Sequence, residues 1–353
     1  MKASKIFLPS LILFWAFTAL SAQQSPWQVF HAYNWQILNP AALNRYFYKN
    51  PNDIDPPVRM TGAFRTEGII SKEAPVTGFA DFEVLYRRLR WGGLIMFDKT
   101  DAISNLDVSG NFCFHLTPES KKIKVSMALQ PGLFIYQLNT DKLIPHIQAQ
   151  NDPFLQYYKK GKWNFDCGWG LFMRRLAHPK YKGQNVWKNK SEWYLGISLP
   201  NLLVLTRRRS GYVRTGGSER TNYLNIMGGV FRDLGKNGSL EATGWLRAAK
   251  DVRFYNLFDR KTTAISLDGH LRWRIRGQQY KGYWFGGGLG THGVGSVELG
   301  WSDSKIIKYE IGLAVSGPVF HPDQRFAENP LGVELMFTHY FNPPENLRTT
   351  LRK

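Results

Sequence analysis

Apolar and polar residues alternate in short runs along most of the chain. Between Asn105 and Leu116, one parity holds Leu106, Val108, Gly110, Phe112, Phe114 and Leu116, and the other holds Asn105, Asp107, Ser109, Asn111, Cys113 and His115. A period of two belongs to strands, because successive side chains leave a strand on opposite faces. Similar stretches centre near Ala63, Phe79, Leu94, Gly110, Met127, Gly168, Gly196, Ile226, Thr243, Leu267, Phe285, Val297, Glu310 and Leu335. Strands of about ten residues recurring through a Gly-rich, aromatic-rich chain predict a transmembrane antiparallel β-barrel of about 14 strands, apolar side to lipid and polar side to the lumen. The patterns near Ala63, Phe79 and Glu310 are the weakest, so 12 strands is the alternative count. A soluble β-sandwich would alternate too, but this length of chain without helices exceeds a usual sandwich domain.

The connections supply a check that alternation does not build in. If the first strand starts in the periplasm, even-numbered connections should be short inner turns and odd-numbered ones longer outer loops. Tyr86 to Leu89, Thr117 to Lys121, Arg232 to Gly238, Arg274 to Gln279 and Ser302 to Lys305 fit the first class. Asn139 to Gly161, Pro200 to Arg220, Lys250 to Lys261 and Ser316 to Pro330 fit the second. Arg174 to Lys190 does not fit: either it is an insertion at the inner end, or the strand count fails there.

The barrel is expected over residues 59–341, with three flanking segments. Residues 1–22 read as a cleaved export signal, because Lys2 and Lys5 precede the apolar run Ile6 to Leu20 and the small residues around Ser21 and Ala22; that run is short for a membrane-spanning anchor. Residues 23–58 form an N-terminal periplasmic or plug segment. Its most structured element is Asn39-Pro40-Ala41-Ala42, where Asn before Pro signals a helix start. A short helix folded into the periplasmic mouth and a loosely ordered leader are both compatible with it. Residues 342–353 form a basic periplasmic tail, either a contact segment or an inert extension.

No stretch after residue 22 is long and apolar enough for a transmembrane helix, so only a closed barrel could span a membrane, and a bacterial outer membrane follows. Aromatic content of 14%, with 12 Trp and 16 Tyr, suits rings held between lipid and water. The formal net charge of +19 bears on partners. Export and the absence of a binding motif argue against nucleic acid, leaving anionic headgroups, lipopolysaccharide phosphates or an acidic protein. Arg207, Arg208, Arg209, Arg214 and Arg220 fall in an expected outer loop, where guanidinium groups could grip phosphate or carboxylate or simply be solvated. Asp166, Glu241, Asp268 and Glu334 share lumen parity with Arg174, Arg247 and Arg272; they could pair across the interior as a plug or line a path. Cys113 and Cys167 have opposite parities and should remain free thiols.

Catalytic chemistry is sparse. The eight histidines are scattered singly, and no Cys-x-x-Cys or His-x-x-x-His spacing suggests a metal or cofactor. His115, Ser109 and Asn111 share a face, but so do most polar residues of that strand. A lipid-modifying enzyme is the least favoured class, because no acid, base and nucleophile converge.

Three segments in order, Leu38-Asn39-Pro40-Ala41, Trp91 to Lys99 (WGGLIMFDK) and Trp193 to Leu202 (WYLGISLPNL), together with the final strand around Gly332 to Phe341, resemble the PorP/SprF family. That resemblance implies an outer-membrane barrel of the type IX secretion system of Bacteroidetes. It implies a non-enzymatic role in binding, anchoring or helping secrete cargo with a C-terminal sorting domain, in some lineages tied to gliding motility, and periplasmic partners associated with peptidoglycan. The long connection around Tyr181 and the basic run Arg207-Arg208-Arg209 have no counterpart in that pattern. The rival reading is a porin or transporter for a small or hydrophobic solute.

Overall fold

Alternation fixes strands because only a strand puts every second side chain on one face. All fourteen centres fall within strands of the computed structural model, which describes residues 35–42, 58–67, 75–86, 89–99, 103–117, 123–138, 162–175, 191–208, 211–214, 222–234, 238–250, 264–276, 281–290, 294–303, 309–319 and 331–341. The expected signal, the tail and most loops lie outside these residues. In chain order the strands are β1 (Val58–Glu67), β2 (Val76–Tyr86), β3 (Leu89–Lys99), β4 (Ile103–His115), β5 (Ile123–Leu138), β6 (Lys162–Arg175), β7 (Ser191–Arg208), β8 (Gly211–Arg214), β9 (Asn222–Asp233), β10 (Ser239–Lys250), β11 (Ala264–Arg276), β12 (Lys281–Gly290), β13 (Val294–Asp303), β14 (Tyr309–Pro318) and β15 (Gly332–Phe341). One helical turn, α1 (Trp35–Leu38), precedes them.

Every pairing is antiparallel. β1 pairs with β15, and β7 pairs with both β6 and β9, so the sheet closes into a ring of 14 strands with β8 attached outside the ring to the end of β7. Closure gives each of the 14 ring strands a partner on both sides, which a membrane-spanning sheet requires. The outward side chains form an apolar surface, with Val297, Leu299, Leu335 and Phe337 each at least half exposed to the surroundings. Phe64 meets Phe97 at 6.5 Å toward one rim, and three aromatic pairs lie toward the other, where Trp91 meets Phe82 edge-on at 6.1 Å, Trp273 meets Phe285 at 5.4 Å and Trp301 meets Tyr309 at 5.1 Å. Rings at that height suit a lipid–water boundary.

The same rim carries the start of β1 and the end of β15, with the short connections 87–88, 277–280 and 304–308. At the turn after β9, Leu234 N–H donates to the Gly238 carbonyl at 2.9 Å, and Gly238 takes the positive φ of 101° that a side chain would resist. In outer-membrane barrels the end with the shorter connections on the whole faces the periplasm. The connection 176–190 also lies at this end. Because β6 and β7 pair directly and antiparallel, it is a long insertion at the short-turn end, and the strand count holds.

One expectation is corrected. The supposed outer loop from Pro200 to Arg220 is largely strand: β7 continues to Arg208 and folds back onto β8, with Arg207 opposite Tyr212 and Arg208 opposite Gly211. Pro200 looks like a terminator because it cannot donate to a ladder. Here it sits at a bulge, where the β6–β7 register shifts between Cys167 and Trp169, and the β-favouring run Leu202-Leu203-Val204-Leu205-Thr206 carries the strand onward. Cys113 faces the interior, Cys167 does not, and both are free.

Candidate functional site: a segment seated in the lumen

Inside the ring lies the segment Trp35–Ala42. Asn39 N–H donates to the Trp35 carbonyl at 2.7 Å, closing α1, and Ala42 N–H donates to the Asn39 carbonyl at 2.9 Å. A single turn has almost no stability of its own, since nucleation outweighs one or two hydrogen bonds. Its shape is therefore set by the wall.

The wall holds it chiefly by its main-chain carbonyls. Leu38 O accepts from Ser198 Oγ of β7 and from Asn225 Nδ2 of β9 at 2.8 Å. Pro40 O accepts from Arg90 Nη2 of β3 at 2.8 Å and Asn111 Nδ2 of β4 at 3.0 Å. Ala41 O accepts from Ser126 Oγ of β5 at 2.7 Å, with Cys113 Sγ 3.9 Å away, and Ala42 O accepts from Arg90 Nη1. Asn39 reverses the direction: its Nδ2 donates to the wall carbonyls of Leu171 at 2.9 Å and Ile197 at 3.3 Å, while its Oδ1 accepts from Ala41 N–H at 2.9 Å. It thus caps the amide two residues on, but the described residues 40–42 form a turn and not a helix, their carbonyls being bound to the wall. A helical turn, α1, comes before Asn39-Pro40; the stretch after Ala42, where a helix started by Asn39 would continue, lies outside the described residues.

Two glycines make room for that side chain. A Cβ on Gly170 of β6 would collide with Asn39 Oδ1, and one on Gly196 of β7 would lie 2.6 Å from Asn39 Nδ2. Trp35 packs on Tyr194 and Phe172, with ring centroids 4.3 and 5.9 Å away, and Tyr194 Oη is anchored to Thr243 Oγ1 at 2.8 Å. Leu38, Ala41, Ala42, Cys113, Ala128, Met227 and Trp245 complete this buried cluster. Arg90 reaches the segment while paired with Glu83 at 2.7 Å; Glu83 in turn meets Arg59 at 3.1 Å, and Arg59 meets Asp81 at 2.8 Å. Buried charge is tolerated when it is paired and hydrogen-bonded in this way.

The rest of the interior is built differently. Arg272 makes a two-pronged contact with Glu298, one prong being Nη2 to Oε2 at 2.8 Å, and lies 3.7 Å from Glu241; Arg274 reaches Glu310 at 3.4 Å and stands 5.1 Å over the Trp284 ring. Above the segment's Ile37, an apolar patch of Ala63, Phe79, Leu94, Met96, Trp284, Ala314 and Met336 lines the lumen.

The inward charges Asp166, Arg174, Glu241, Arg247, Asp268, Arg272 and Glu334 are all buried on the lumen side. Arg174 pairs with Glu192, and Glu334 lies 3.7 Å from Arg65. These pairs run along the wall between nearby strands instead of across the interior. Asn39, Pro40 and Ala41 are brought together with the wall, and none of the seven charges touches them through a described hydrogen bond. Arg207 and Arg208 end β7 and Arg214 ends β8; Arg209 and Arg220 lie outside the described residues. Reading the sequence alone does not find Arg90, Asn111, Ser126, Ser198 and Asn225. Their inward parity is visible, but nothing marks which inward polar residues meet the segment.

Comparison with known proteins places this arrangement. The profile of the type IX secretion system membrane protein PorP/SprF matches residues 21–267. The chain belongs to the PorP/SprF family. The match includes the seated segment and every wall residue that bonds to it. As a PorP/SprF protein with a closed 14-strand barrel, it is an outer-membrane protein. No curated protein matches it. Among solved structures it is similar to the CymD monoaromatic hydrocarbon channel (9% identity, 93% of this chain and 97% of that one, TM-score 0.49), the Pseudomonas putida toluene transporter TodX (8%, 90% and 95%, 0.45) and the Ralstonia pickettii toluene transporter TbuX (8%, 81% and 90%, 0.46).

Proposed function

We propose that this PorP/SprF protein is a non-enzymatic component of type IX secretion that binds, anchors or helps secrete cargo bearing a C-terminal sorting domain, of the adhesin or gliding type. The family match carries this reading. Recognition falls to the outer face, where the β7–β8 hairpin and its surroundings bring Arg207, Arg208, Arg209, Arg214 and Arg220 into one stretch of chain. Guanidinium groups there suit carboxylates on a cargo surface or lipopolysaccharide phosphates. The periplasmic end, with its long 176–190 connection, is the face offered to peptidoglycan-associated secretion components. Affinity purification of the tagged protein from outer membranes tests this: a sorting-domain cargo and a peptidoglycan-binding protein should co-purify, and Gln at the five Arg positions should reduce cargo recovery. Recovery of neither partner would overturn the proposal.

A second reading, passage of a small hydrophobic solute, has the luminal apolar patch around Phe79, Leu94, Met96 and Trp284 in its favour. Steady open conductance in planar bilayers, with uptake of an apolar solute, would support it over the scaffold.

A further inference from the structure

The seat is more than a place where one end of the chain rests. Four main-chain carbonyls, those of Leu38, Pro40, Ala41 and Ala42, are met by side chains from β3, β4, β5, β7 and β9. Main-chain recognition does not depend on what side chains the bound segment carries. Selection enters at a few positions only. Asn39 fits the notch left by Gly170 and Gly196. Ala41 and Ala42 are 0% and 1% exposed, so residues larger than a methyl have no room. An aromatic four residues before the Asn stacks on Tyr194 and Phe172.

The complementarity belongs to the wall, and the segment has little structure of its own to contribute. Nor is the resident segment a perfect fit: Trp35 Nε1 and Gln36 Nε2 are buried without a hydrogen-bond partner among the described residues. Buried donors left unmatched weaken the hold of whatever carries them.

We propose that the lumen of this barrel is a peptide-binding site. It accepts, in trans, a partner segment of the pattern aromatic-x-x-apolar-Asn-Pro-small-small, and Trp35–Ala42 is its resident competitor. The site is distinct from the outer-face cargo recognition proposed above and does not depend on it.

A fluorescent synthetic peptide of residues 33–44 is the probe, used with the full-length protein refolded in detergent micelles. Wild-type protein should bind it weakly, because the resident segment occupies the seat. The Asn39→Ala protein, whose own segment has lost its notch contacts, should bind the wild-type peptide at least about tenfold more tightly, the ratio that corresponds to roughly 1.4 kcal/mol. Peptides carrying Asn39→Ala or Ala41→Leu should not bind. Bound peptide should protect Cys113, which lies beneath Ala41, from a thiol reagent.

Folding of Asn39→Ala is checked by its heat-modifiable migration on gels. Should it fail to fold, wild-type protein with a protease site inserted between Phe47 and Tyr48 serves instead: after cleavage, labelled peptide should exchange into the seat. Absence of saturable binding to either folded form, or binding that leaves Cys113 reactivity unchanged, would overturn the proposal. Cargo recovery is a separate measurement, so either idea can fail without the other.

Discussion

The two sides of the barrel interior solve the same problem by different means. From β3 round to β10 the wall directs four neutral donors, Asn111, Ser126, Ser198 and Asn225, and one shared arginine, Arg90, at main-chain carbonyls of Trp35–Ala42. From β10 round to β14 the wall's charges pair with one another, Arg272 and Arg274 being bound to Glu241, Glu298 and Glu310. The first side offers its donors to a guest; on the second, the described ion pairs are made within the wall. The family match, residues 21–267, takes in the whole guest-holding side and stops within β11, short of Arg272, Glu298 and Glu310. The peptide seat is thus a property of the part of the chain that matches the family profile, whereas Arg272, Arg274, Glu298 and Glu310 lie beyond it.

Arg90 belongs to both designs, so its loss should have the largest effect. Arg90→Met takes from buried Glu83 the nearer of its two arginine partners and removes both bonds to the end of the segment. Breaking a buried pair costs about 3–5 kcal/mol, and urea unfolding in lipid vesicles should show that loss together with a rise in Cys113 labelling. Arg272→Met, on the self-contained side, should cost a similar or slightly smaller amount, again about 3–5 kcal/mol, but leave Cys113 as slow to label as in wild type. If Arg272→Met exposes Cys113, the two sides are not separate and the contrast fails. Asn111→Ala removes one of the two donors to the Pro40 carbonyl. It should weaken seating by about 1 kcal/mol, visible as a several-fold faster Cys113 reaction with no measurable change in the urea midpoint.

The ring itself was legible because alternation is local: in β4, β11 and β15 each residue declares its face by its neighbours. β8 and the far half of β7 were not, since Pro200 marks a strand end in most contexts and only the bulge opposite Gly168 accommodates it here. The inward Phe79, Leu94, Met96 and Trp284 were also hidden: in a stretch such as WGGLIMF both parities are apolar, and the pattern cannot say which side meets lipid. The seat is the extreme case. Asn39-Pro40-Ala41 stood out as a motif, but its partners lie as far as 187 positions away in sequence, as for Asn225 and Leu38, and no local period encodes such meetings.

Two prolines flank β6 at one height. Pro131 of β5 stands opposite Cys167, where the β4–β5 ladder skips from Ser109–Gly132 to Phe112–Leu129, and Pro200 of β7 lies against Gly168, where the β6–β7 register slips. A proline brings no amide to a ladder, so around this belt the staves are laced more sparsely than elsewhere. Deuterium should enter the middle of β5, β6 and β7 sooner than the middle of β12, β13 and β14, where lacing is unbroken, giving a cylinder of continuous outline but uneven hoop strength.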